Sequence, residues 1–119
     1  MVPLIDVSLI QKITFNDERL LNDFLDEWVI DARKKMVLIH DRNSNGSGKL
    51  LFWAIHELKT NFTMLSCSEA IHYVDQLLKQ LELDNSITQK DVNGIEERLT
   101  HILNELKRIY GISGSYPMD

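Results

Sequence analysis

Cysteine is nearly absent from this chain. Cys67 is the one thiol, so no internal disulfide can form and a reducing compartment is expected. Proline and glycine are scarce too, two and five in 119 residues, which disfavours loop-rich and β-rich folds. A basic excess is missing: 13 Lys and Arg stand against 18 Asp and Glu, for a net charge of −5. Nucleic acid is therefore not an expected partner. No apolar run reaches the roughly 18 residues of a membrane span, so no direct membrane contact is expected. Met1-Val2-Pro3-Leu4-Ile5-Asp6 lacks the basic start of a secretory signal, and a cytoplasmic location is the expectation. A membrane-tethered parent protein stays open. His40, His56, His72 and His101 are scattered, none three or four residues from another, so no metal site is expected.

What is present is helical period. Apolar residues make up 44% of the chain, enough for one globular domain with a single core. We expect one domain over residues 1–119, with an ordered core of about 5–111 and a frayed tail from 112 to 119. Asp6 can cap a short helix over Val7 to Lys12, with Ile5, Leu9 and Ile13 on one side. Asn16 is a candidate N-cap for a helix from Asp17 to about Ile39. Its stripe is Leu21, Phe24, Leu25, Trp28, Ala32, Met36 and Ile39. On this reading His40 ends that helix, and Asp41 to Gly48 is a turn-rich loop.

A third helix covers about Ser47 to Leu65. Ser66 and Glu69 have capping-box spacing, which predicts a helix start at Ser66. That helix carries Ala70, Ile71, Val74, Leu77, Leu78 and Leu81, and stops near Leu83. Thr88 and Asp91 repeat the cap for a last helix over Val92, Ile95, Leu99, Ile102, Leu103, Leu106, Ile109 and Tyr110. Gly111 is placed to end it. The expected fold is all-α: an antiparallel up-down four-helix bundle with a short extra N-terminal helix as a lid.

The third helix is the chemically informative one. Leu51, Ile55, Leu58, Phe62 and Leu65 form its buried face. At roughly 100° per residue, His56 points about 140° from the centre of that face. Lys59, one turn on, leans the same way, and Lys49 lies two turns before His56. An imidazole with its ordinary pKa near 6.5 is largely uncharged at neutral pH and is a competent nucleophile. An adjacent ammonium suits a phosphoryl acceptor, because phosphoryl transfer asks mainly for position and charge. A lone exposed His-x-x-Lys is nonetheless common, and by itself would be a solvated helix face.

The longer pattern tips the balance. Ala54-Ile55-His56-Glu57-Leu58-Lys59-Thr60-Asn61-Phe62-Thr63-Met64-Leu65-Ser66 resembles the signature of histidine-containing phosphotransfer (HPt) domains, the phosphocarriers of multistep phosphorelays. The family pattern is approximately His-x-Leu-Lys-Gly, then small residues, then an aliphatic residue before a second Gly. His56, Leu58, Lys59 and Leu65 fall on matching positions. Leu20 to Leu25 and Gln76 to Glu82 resemble the flanking helices, so the likeness runs from about Val7 to Ile109. Three residues depart from it: Thr60 and Ser66 stand where Gly is usual, and Phe62 where a small residue is usual.

The resemblance implies a carrier without kinase activity of its own. His56 would be the phosphoacceptor and Lys59 the cation beside it. Response-regulator receiver domains, and a hybrid sensor histidine kinase, would be the partners. The receiver would bring Mg²⁺, leaving this chain with no cofactor, and the chain would be a monomer. Phe52, Trp53, Thr60 and Thr63 would belong to the docking face, although Phe52 fits helix packing equally well. A helical adaptor that binds a receiver or kinase without being phosphorylated is the competing reading. A dimeric docking or phosphatase scaffold is a third.

Overall fold

The computed structural model describes residues 3–114, and everything below concerns these. Among them are five helices and no strand: α1 (Ser8–Ile13), α2 (Glu18–Ser44), α3 (Gly48–Met64), α4 (Ser68–Asp84) and α5 (Gln89–Tyr110). At 1.5 Å per residue the 27 residues of α2 span about 40 Å, which sets the long dimension of the 44 × 39 × 22 Å molecule. α2 packs against α3 and α5, α4 packs against α3 and α5, and α1 rests on α2. The four long helices thus share one core. Every apolar position predicted for α3 is buried, as are Leu25, Trp28, Ala32, Met36 and Ile39 of α2. On α5, Ile109 departs from its predicted stripe and lies at the surface.

Chain reversals account for most of the departures from the sequence reading. Asn16 is not the N-cap of α2; it sits at φ +58°, a left-handed conformation unlike the extended one a cap needs. Asp17 takes the role, accepting from the Arg19 and Leu20 amides at 2.9 and 3.1 Å. The helix then runs past Ile39 to Ser44, because exposed polar residues can complete a final turn. It breaks only where Gly46 supplies φ +69°. The expected loop from Asp41 shrinks accordingly, and His40 lies inside α2, with Nε2 3.4 Å from Glu96.

Ser66 does not start α4. At φ +52° it closes α3: its amide donates to Thr63 O and the Cys67 amide to Phe62 O, both at 3.0 Å. This pair of bonds is the Schellman ending, in which glycine is the usual occupant. Cys67 becomes the N-cap of α4, with no side-chain capping bond. The Thr88–Asp91 capping box and the Gly111 stop stand as predicted.

On α1 the buried side is Val7, Ile10 and Thr14, while Leu9 and Ile13 face out. Asp6 is not the N-cap of α1: Val7 holds that position without a side-chain bond, while the Asp6 carboxylate accepts from the Ser8 amide and hydroxyl and its own amide donates to Leu65 O at 2.8 Å. The start of the described chain is thereby pinned to the end of α3. The tail is not frayed from residue 112. Ile112 is buried, Arg33 donates to Ser113 O, and the Gly114 amide donates to Asp26. Residues 115–119 of the expected tail lie outside the described residues.

Gly94 has a steric reason. A Cβ on Gly94 would collide with the Tyr73 hydroxyl, which crosses to α5 and donates to Asp91 O at 3.0 Å.

Candidate functional site

α3 exposes a mixed aromatic and polar face over a fully buried row. Beneath it, Ile55, Leu58, Phe62 and Leu65 have no solvent exposure, so the helix is held rigidly from below. Its other side presents His56, exposed to solvent. Phe52, one turn earlier, lies nearly parallel to the imidazole, with 18° between planes and 6.2 Å between centroids. Trp53 meets the imidazole edge-on at 5.7 Å and Phe52 edge-on at 5.6 Å. The Phe52 and Trp53 rings form a shelf against which the imidazole lies. Phe52 is half-buried and packs on the core, whereas Trp53 is 52% exposed. Neither ring nitrogen of His56 has a hydrogen-bond partner among the described residues.

Lys59 lies one turn beyond, but it is not free. Its ammonium contacts Asp75 Oδ1 of α4 at 2.6 Å, with about a third of each side chain exposed. Thr60 and Thr63 are both exposed. The Thr63 hydroxyl is already committed, donating to Lys59 O at 2.9 Å. The structure therefore brings His56, Phe52, Trp53 and Lys59 onto neighbouring turns of one helix, with Thr60 and Thr63 following at its C-terminal end. Lys49 is exposed near the N-terminal end of α3, where the cleft beside Phe52 begins.

Sequence reasoning missed Asn61 and Asp75. Asn61, only 2% exposed, joins α3 to α2. Its Nδ2 donates to Asp31 Oδ2 at 2.9 Å, and its Oδ1 accepts from Lys35 Nζ at 2.6 Å. The Trp28 indole donates to its carbonyl at 2.9 Å. Lys35 also contacts Asp31 at 2.9 Å and reaches Glu57 O at 3.4 Å. Burial pushes the Asp31 carboxyl up, but hydrogen bonds from Asn61 and Lys35, with the charges of Lys35 and Lys34, outweigh it. The net result lies below the ordinary carboxylate value. One signal was available: an Asn at a position flanked by core residues needs partners. Nothing local in the sequence signals Asp75.

Burial holds the Cys67 thiol up at about 12, which overrides any help from the helix start. His72 and His101 are exposed on α4 and α5, far along the chain from His56. Among the described residues no three His, Cys, Asp or Glu side chains cluster as a metal site, and no helix is long and apolar enough to cross a membrane.

Chemically, the face offers one imidazole, aromatic contact area and an ammonium paired with Asp75. Comparison of the chain with protein-family models, with curated proteins and with solved structures gave no match.

Proposed function

We propose that this chain is a histidine phosphocarrier: His56 accepts a phosphoryl group from the phospho-aspartate of a receiver domain and hands it to another receiver. The observation that carries this reading is the solvent-facing His56 ring, without a hydrogen-bond partner among the described residues, on a helix held rigid from beneath. The unprotonated ring nitrogen attacks phosphorus in line. The N–P bond forms as the acyl P–O bond breaks, the receiver carboxylate leaves with the electron pair, and the ring proton passes to solvent. Lys59 lowers the cost of the phosphoryl charge. Phe52 and Trp53 give a visiting domain an aromatic surface, the kind of area that anchors interfaces.

In this reading the four long helices run antiparallel, up and down, with α1 as the lid. The carrier acts as a cytoplasmic monomer, has no kinase activity and holds no metal, and the receiver contributes Mg²⁺. The left-handed Ser66 supports the resemblance to HPt domains, since it occupies the position where that pattern has its second glycine.

Two features favour the adaptor reading instead. Thr60 puts a branched side chain on the exposed face where the pattern has glycine, and Lys59 is engaged by Asp75. A panel of acetyl-phosphate-charged receivers separates the two. The carrier gives acid-labile, base-stable label that is lost in His56→Gln. The adaptor gives no label, with receiver binding that survives His56→Ala.

A further inference from the structure

We infer that Asp75, on α4, is a positioning residue that sets how strongly the His56 site attracts a phosphoryl group, acting through Lys59. The inference rests on the phosphocarrier reading and deepens it. Lys59 is the cation nearest along α3 to the acceptor ring, and its ammonium is held by a single carboxylate, Asp75 Oδ1 at 2.6 Å. Both side chains are about a third exposed, so the pair sits at the rim of the exposed face and can open without unfolding anything. Lys35 forms the contrast. It has Asp31, Asn61 Oδ1 and Glu57 O as acceptors and is the more buried of the two.

An anionic ligand arriving at His56 therefore competes with Asp75 for one ammonium. This competition weakens the hold on the phosphoryl group. That suits a carrier, which must release what it accepts. Asp75 sits one helix away, so α4 and not α3 tunes the acceptor.

The probe is phosphoramidate, a small donor that needs no receiver. The His56 ring nitrogen takes its phosphoryl group as the P–N bond to ammonia breaks, and ammonia leaves with the electron pair and the ring proton. Loading of His56 is followed by mass spectrometry in the wild type, Asp75→Asn, Asp75→Glu, Lys59→Gln and the Asp75→Asn/Lys59→Gln double variant. We expect Asp75→Asn to load roughly 1.5-fold to fivefold faster, the range that one part-exposed ion pair corresponds to. Asp75→Glu restores the wild-type rate. The double variant matches Lys59→Gln alone, because Asp75 acts only through Lys59. Equal rates in wild type and Asp75→Asn overturn the inference while leaving the carrier reading intact. So does an Asp75→Asn gain that persists without Lys59. No loading of His56 in any variant overturns both.

Discussion

Lys35 and Lys59 flank the same helix and have opposite fates. On the α2 side, Lys35 is 21% exposed and its ammonium meets two side chains and a backbone carbonyl. On the α4 side, Lys59 is 33% exposed and has one carboxylate. The first arrangement is structural. Its charge is consumed in satisfying Asn61, a buried amide that would otherwise be costly to hold in the core. The second is available, because a single half-exposed ion pair is worth little and is easily exchanged for another anion. Position relative to the core, more than residue type, decides which lysine can do chemistry.

The comparison breaks most visibly at Asn61. Asn61→Ala removes the hub of the α2 network: Asp31 loses a donor and Lys35 an acceptor, while Trp28 keeps its bond to the backbone carbonyl. We expect a loss of about 1–3 kcal/mol in urea unfolding, with the exposed His56 face still present. A loss within experimental error would mean that the network is not what joins α2 to α3.

Next come the lysines themselves. Lys59→Gln should slow phosphoramidate loading of His56 about tenfold while unfolding changes by less than about 1 kcal/mol. Lys35→Gln should do the reverse, costing about 1–2 kcal/mol in unfolding while loading stays near wild type. Similar loading defects in both variants would erase the distinction.

Asp31 gives the smallest effect. Its carboxyl is held below the ordinary value in the folded chain, so its contribution to stability is fully present above the unfolded pKa, near 3.9. That contribution is lost as pH falls through the folded pKa. Thermal melts of wild type and Asp31→Asn should differ slightly at neutral pH and converge in acid. A gap that widens in acid would reverse the sign. Because the Asp31 side chain is half exposed, the neutral-pH gap should be small.

Much of this molecule was legible from period alone. The α3 stripe from Leu51 to Leu65 and the outward direction of His56 follow from helix geometry, and burial agrees at each position. What the spacing misjudged were reversals. Ser66 with Glu69 looks like a capping box, yet the same serine serves as the left-handed residue that ends the preceding helix. Hydrogen-bonding side chains suit both roles, and only backbone geometry separates them. The exposed side of α1 was misassigned because six residues are too few for a periodic pattern to fix a face. Lys59 was identified as a cation beside the ring, but its partner lies 16 residues away on another helix, where spacing carries no information.

The central claim is that the His56 ring receives a phosphoryl group from a receiver. Phosphorus NMR of the chain mixed with an acetyl-phosphate-charged receiver tests it most directly. The account predicts that the acyl-phosphate signal declines as one phosphoramidate signal grows, and that this signal is absent with His56→Gln. Decay of the acyl phosphate straight to inorganic phosphate at the receiver's own rate, across every receiver tried, would contradict it.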